Sequence, residues 1–401
     1  SDSANRKTRL LITTLLLGCC TAVLCCGGGV MLWWPYYRET RAAAEIQRLG
    51  GSVETRAIVP NWWPDDVDEI FLTYFSRVTV VILNDTPAND HDLALLRDTP
   101  HVETLWLDRT RVTDAGLKHA GGLTKLKDLS VAHTGVTDAG LAHLRGLKNL
   151  DSVGLRGCRV QGTGLKHLKH SSELFSLSLA NTDFNDSNLK HVLIFSHLAG
   201  LNLDGTTVTD NALKHLTSLP RLHFLSLGNT KITDAGLQHI EGYPHLISLN
   251  VRQTSVTDRG VEILSGVTNL ETLNLQGTAL TDTGMEHLRK LYKLSSLSLA
   301  ETSVTDTGIH SLTGLTFLME LRLDKTRITD ESLKQLSGLA DLDVLSLEGT
   351  KITDDGLEHL AKLTEMYSLS LQRTQVPAAG TNRLKAELHK WDENVSRPHF
   401  W

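Results

Sequence analysis

Between residues 78 and 376 the apolar positions follow two alternating periods. Leu105 and Leu107 stand two apart, and the spacing returns at Leu129 and Val131, at Val153 and Leu155, and on to Leu369 and Leu371. A period of two is that of a strand whose alternate side chains enter a core. Behind each pair the period changes: Leu141 with Leu144, and Leu165 with Leu168, share one helix face. Aspartate heads each helical stretch, at Asp114, Asp138, Asp186, Asp210, Asp234, Asp258, Asp282, Asp306, Asp330 and Asp354, on one 24-residue grid that Asp90 extends and Gly162 and Ala378 interrupt. An aspartate there predicts an amino-terminal helix cap. Threonine follows the strands at its own fixed offset, from Thr110, Thr134 and Thr182 to Thr374. One such unit cannot cover its leucine face, so successive units must stack on a shared core, and the pattern predicts an α/β solenoid.

Written once, the unit is LxxLxLxxTxVTDxGLxHLxxLxx. It resembles the leucine-rich repeat family over residues 78–376. The resemblance implies a horseshoe with a parallel sheet on its concave side and short helices on its convex side. Where the family often has asparagine, this chain has Thr110 and its successors, expected to tie one turn's backbone to the next. Cys158 holds that slot in its own unit and is expected as a small buried thiol. More narrowly, IQRLGGSVE at Ile46–Glu54 and the VTDAGL phrases resemble membrane-anchored planctomycete-type bacterial repeat proteins. The TDxGL phrase is shared with eukaryotic F-box repeat proteins, a likeness that implies an alternative role as a substrate-recognition adaptor of ubiquitin-ligase type. The F-box itself is absent.

Residues 10–34 contain no charge, and 25 helical residues suffice to cross a bilayer's apolar layer. Arg6, Lys7 and Arg9 precede this stretch; Trp33, Trp34, Tyr36 and Tyr37 close it, and Pro35 is expected to stop the helix. The expected layout is a short cytoplasmic tail at 1–9, a single-pass transmembrane anchor at 10–34, and the remainder on the extracytoplasmic side. A cleavable signal and a lipoprotein box at Leu16-Leu17-Gly18-Cys19 are rival readings of the same stretch. Residues 35–77 are expected to form a linker and amino-terminal cap, with Trp62, Trp63, Phe71, Tyr74 and Phe75 covering the open end of the stack. Residues 377–401 are expected to form the other cap and a tail, with Leu384, Leu388 and Trp391 at helical spacing.

Composition narrows the function classes. The net charge of −6 argues against a nucleic-acid partner, which calls for a basic field. Four of the five cysteines lie inside the apolar stretch, so no disulfide framework is available outside it. Zinc pairs, HExxH, P-loop and GxSxG phrases are all missing, so neither catalysis nor a cofactor is expected. A histidine column (His119, His143, His167, His191, His215, His239, His287 and His359) offers an alternative reading as a metal or pH sensor.

Binding is expected on the strand side. Ser130, Ser178, Asn202, Ser226, Asn250, Asn274, Ser298, Ser346 and Ser370 make a polar, uncharged ladder there. Beside it stand larger groups of the kinds that dominate interfaces: Arg156, Phe175, His223, Phe224, Arg252 and Arg322. The expected function is a membrane-anchored interaction protein that binds a protein or a cell-envelope polymer, with its oligomeric state open. Departures from the consensus between Gly154 and His197 mark a contact surface, a bend, or drift without function.

Overall fold

A computed structural model describes residues 28–58, 75–240, 243–363, 366–388 and 399–400. The chain forms two compact units, residues 1–152 and 153–401. Positions 10–27 of the apolar stretch, together with Trp62, Trp63, Phe71, Tyr74 and Trp391, lie outside the described residues. Among the described residues, no helix is long and apolar enough to cross a membrane.

In the first unit a helix, α1 (Gly28–Arg48), runs through Pro35 and corrects the expected stop there. The residues that follow, Arg38–Arg48, are strong helix formers, and Ala42 and Ile46 are buried, so packing of this stretch outweighs the cost of the proline. Strand β1 (Ser52–Ala57) pairs antiparallel with β2 (Ser76–Ile82). Parallel pairing then takes over, from β2 to β3 (Thr104–Trp106) and from β3 to β4 (Asp128–Ser130). Glu39, buried on α1, accepts the Val78 backbone N–H at 3.1 Å and stands 3.4 Å from His101 Nδ1, which anchors α1 against the start of the sheet.

Strand β5 (Ser152–Gly154) leads into the second unit. There β6 (Ser176–Ser178), β7 (Gly200–Asn202), β8 (Phe224–Ser226), β9 (Ser248–Asn250), β10 (Thr272–Asn274), β11 (Ser296–Ser298), β12 (Glu320–Arg322), β13 (Val344–Ser346) and β14 (Ser368–Ser370) pair in sequence order, all parallel and in register. The central residue of every strand, Leu201 or Leu273 for example, is buried. Short α-helices or 3-10 turns return the chain on the other side, as at Asp210–Leu216 and Asp282–Leu288. The helix Ala378–Leu388 follows β14, with Leu384 buried, and His399–Phe400 pairs parallel with β14.

The Thr-Asp grammar works differently from the sequence expectation. Threonine, not aspartate, is the cap: Thr281 Oγ1 accepts the N–H of Thr283, and Asp282 is the first helical residue. The aspartate carboxylate reaches into the following turn. Asp258 Oδ1 accepts the Thr281 N–H at 2.7 Å, and Oδ2 accepts the Thr281 hydroxyl at 2.6 Å. The same pair of bonds joins Asp90 to Thr113, Asp210 to Thr233 and Asp330 to Thr353. Glycine two residues beyond the receiving turn's own aspartate makes room for this bridge, because a Cβ on Gly284, which follows Asp282, would sit 2.5 Å from Asp258 Oδ1. Where Ser332 replaces that glycine, its hydroxyl donates to Asp306 Oδ1 instead of colliding with it.

The second threonine column closes its own turn and does not bridge to the next. Thr278 Oγ1 donates to the Leu275 carbonyl, three residues back, at 2.7 Å, and Thr110 does the same to Leu107. The residue just before each such threonine is left-handed, as at Arg109 (φ 55), Gln253 (φ 53) and Lys325 (φ 54). That conformation swings its N–H onto the next turn, as from Gln253 to the Gln276 carbonyl at 2.7 Å. The link between turns is therefore made by backbone, and the threonine is left to steady the bend. Cys158, in this slot, is buried as expected.

The irregular turns resolve into exchanges of volume. Gly162 (φ +104) leaves a gap filled by Phe184, whose ring would stand 2.6 Å from any Cβ placed there. Ser171, fully buried, occupies a leucine slot, and the same slot one turn later holds the buried Phe195. Large replaces small where the neighbouring turn has given up the space, which is how a close-packed interior accommodates substitution. In this stretch Phe175 and Ile194 are large apolar side chains turned outward.

Candidate functional site

On the strand side of the second unit, residues flanking each buried leucine face outward, and the small polar ladder occupies these positions. Its side chains are largely engaged with the turns they precede. Asn202 Oδ1 accepts the Asp204 N–H, Asn250 Oδ1 the Arg252 N–H and Asn274 Oδ1 the Gln276 N–H, each within 3.1 Å. Asp204 is the hub of a wider network: its Oδ1 accepts from the Ser226 hydroxyl at 2.6 Å and the Gly228 N–H at 2.7 Å, and its Oδ2 from the Asn250 amide at 3.2 Å. Nothing in the sequence marks Asp204, because only tertiary contact shows that two later turns converge on it.

The six sequence candidates do not form one patch. Phe175, His223 and Phe224 come together at the rim where β6 to β8 begin. Arg252 lies at the far ends of the strands, its guanidinium 3.4 Å from Asp204 Oδ2. Arg156 is exposed at that same far end, four turns earlier in the chain. Arg322 stands apart on β12, where it is paired with Glu320 at 2.7 Å. Arg252 and Arg322 are thus partly neutralised, which weakens them as isolated anchors.

The rim has a shape the sequence did not advertise. Gly200 pairs with Ser176 on one side and Phe224 on the other, in a strand position filled by larger residues in the turns around it. Phe175 and Phe224 are 53% and 48% exposed; Phe224 borders Gly200 in register, whereas on the other side Ser176, one residue after Phe175, borders it. Their turns are two strands apart, about 10 Å at ordinary sheet spacing. A Cβ on Gly200 would meet only Ser176 Oγ at 3.5 Å and more distant atoms, an ordinary contact, so packing does not require a glycine there. His223 stacks on His245 with ring centroids 5.9 Å apart.

The helix side is less distinctive. An open groove of about 540 Å³ there is lined by Arg259, Glu262 and His287 among others. From Asp186 to Asp330 the aspartate column is committed to its threonines, Asp354 pairs with Arg383, and among the described residues no group of three or more His, Cys, Asp or Glu side chains is arranged to hold a metal ion. Burial, reinforced by Arg97 and Lys118, lowers the pKa of His119 in the first unit below the ordinary histidine value. Desolvation would raise the Asp306 carboxyl, but hydrogen bonds from Ser332 and Thr329 outweigh it and hold the group below the ordinary aspartate value.

Comparison with known proteins follows the same lines. Residues 268–288, which contain β10, match the model of a Leucine Rich repeat family. An internalin (inlF) from Listeria monocytogenes str. 4b F2365 aligns over 79% of this chain and 87% of its own, at 22% identity and a TM-score of 0.56. A leucine-rich repeat protein of Leptospira interrogans aligns over 75% and 79%, at 17% identity and a TM-score of 0.49. The plant peptide hormone receptor RGFR1, solved in complex with RGF2, aligns over 79% and 57%, at 15% identity and a TM-score of 0.41. No curated protein matches the sequence. The repeat match and the likeness to the internalin, set beside parallel strands that each bury a central leucine, identify the fold as a leucine-rich-repeat solenoid.

Proposed function

We propose that this chain is a non-catalytic interaction protein of the planctomycete type, anchored by residues 10–34 with its solenoid outside the cytoplasm, and that it binds another protein along the strand-side rim. The observation that carries the reading is the half-exposed Phe224 beside Gly200, with the half-exposed Phe175 one residue before Ser176, which borders Gly200 on the other side. Exposed aromatic rings beside a recess are the usual anchors of protein interfaces, and an isolated fold gains nothing by leaving them in water. A purely polar polymer would make little use of them, which favours a protein partner.

The test places a photo-cross-linking residue at position 224 or, as control, at position 262 on the helix side, in cells carrying the full chain. Adducts from position 224 that are absent from position 262 and disappear when Gly200→Leu fills the space beside it are the expected result. Equal labelling at both positions would overturn the proposed surface. Protease digestion of the solenoid in intact cells, compared with cells opened layer by layer, tests its side of the membrane, and membrane fractionation with and without residues 10–34 tests the anchor.

A further inference from the structure

Three consecutive turns of the second unit carry an ordered row of charge on the rim where the strands begin. Segments 289–295, 313–319 and 337–343 take the same place before β11, β12 and β13. The first holds Arg289, Lys290 and Lys293 and no acid, the second holds no charge, and the third holds Asp341 and Asp343 and no base. Lys293, Phe317 and Asp341 share one slot; Ser295, Met319 and Asp343 share the slot two residues on. Backbone bonds fix this stacking, with the Met319 N–H donating to the Ser295 carbonyl at 2.9 Å and the Asp343 N–H to the Met319 carbonyl at 2.8 Å. Leu294, Leu318 and Leu342, between the two slots, are buried, so the residues on either side turn outward.

The middle of the row is apolar and uncovered. Phe317 is the most exposed large apolar side chain among the described residues, at 61%, and Met319 beside it is 51% exposed. Lys290, Lys293 and Asp341 are exposed as well. Lys293 Nζ donates to the neutral side chain of Asn269, which leaves its charge uncompensated. Lys293 and Asp341 stand two turns apart, about 10 Å at sheet spacing, with the Phe317 turn between them, so they do not neutralise one another. A row that reads cation, ring, anion is complementary to its own reverse. A two-fold axis lying in the rim and crossing the stack at Phe317 runs a second copy the opposite way. The cationic turn of each copy then meets the acidic turn of the other, and the uncharged turn meets itself. A parallel arrangement would instead set Lys293 against Lys293 and Asp341 against Asp341, which repel.

We propose that this stretch of rim is a docking surface for a second copy of the chain, joined two-fold, with Phe317 and Met319 at its centre and Lys290 and Lys293 of each copy facing Asp341 and Asp343 of the other. An uncovered apolar centre supplies the attraction, and the flanking charges fix the direction in which the two stacks run. The surface is centred four turns beyond Phe224 and stands apart from the interaction reading above.

The experiment uses the full chain in density-matched detergent micelles, with sedimentation equilibrium as the readout and circular dichroism confirming the fold of each variant. The parent is expected to pass from monomer to dimer within about 1–100 μM. Phe317→Asp is expected to raise the dissociation constant about tenfold or more, and so is the pair Lys290→Glu, Lys293→Glu. Adding Asp341→Lys and Asp343→Lys to that reversed chain is expected to restore the parent affinity, because each charge again meets its opposite. Should the fourfold variant fail to fold, an equimolar mixture of the two doubly reversed chains tests the same pairing and is expected to dimerise where neither does alone. A parent that stays monomeric over the whole range overturns the proposal. So does a dimer that Phe317→Asp leaves intact, which would arise from the apolar amino-terminal stretch, and so does a folded second reversal that restores nothing. Phe224→Ala is expected to change nothing, and a loss there equal to that of Phe317→Asp overturns the placing of the surface.

Discussion

The helix side and the strand side of the second unit are built from the same turns and carry opposite kinds of information. On the helix side the bond from Asp to the next turn's Thr recurs with nearly the same geometry from Asp186 to Asp330. On the strand side the outward positions change from turn to turn: serine on β6, glycine on β7, phenylalanine on β8. A contact repeated in turn after turn serves stacking, because every interface between turns has the same requirement. A side chain present in one turn and absent from its neighbours answers to something other than stacking, and Phe224 beside Gly200 is of that kind.

The comparison can be broken first at the core both sides share. Leu273→Ala empties a fully buried site on β10 and is expected to cost about 2–5 kcal/mol in chemical denaturation. A loss below 1 kcal/mol would mean that the turns relax independently of one another. On the helix side, Asp258→Ala removes two bonds to Thr281 and is expected to cost about 1–3 kcal/mol. Thr257→Ala should be milder, about 1 kcal/mol for the cap, with some addition from the bond it donates to Asp234. If the aspartate variant proved the milder of the two, the bridging role assigned to the carboxylate would be wrong.

Acid sharpens the same point on a smaller scale. The Asp306 carboxyl has its pKa held below the ordinary value in the folded state, so its contribution to stability is present above about pH 4 and is lost as pH falls through the lower folded value. Asp306→Asn should therefore flatten the fall in denaturation midpoint below pH 4, and an unchanged slope would remove the linkage. The smallest effect on stability is expected on the strand side. Gly200→Ala meets only an ordinary contact with Ser176 and should stay within about 0.5 kcal/mol of the parent, while still weakening binding beside Phe224. A large destabilisation would turn Gly200 from a recess into a structural requirement.

Much of the scaffold was legible in the chain. The spacing of Leu105 with Leu107 gave away the strands, and the shift to helical spacing at Leu141 and Leu144 gave away the return path. The roles of the two polar columns were not legible. Asp114 and Thr113 are adjacent, and either can cap a helix; the choice depends on where the next turn's Thr137 lies, a distance across 23 residues of sequence that only stacking closes. The candidate site was half legible for a related reason. Phe175, His223 and Phe224 stood out as large residues beside a small-residue ladder, but Asp204 was one aspartate among many until the two later turns that converge on it were laid side by side.

The sequence by itself determined the repeating solenoid, its parallel strands and its leucine core, because periodic burial leaves few other ways to cover an amphipathic unit. It also determined that Cys158 is buried, since its slot holds a small threonine in the other turns. The tertiary structure alone decided that helix α1 continues past Pro35, that threonine caps while aspartate bridges, and that Gly162 and Phe184 exchange volume. Those outcomes depend on distances between turns, and side chains brought together across a stack have no signature in the spacing of any one turn.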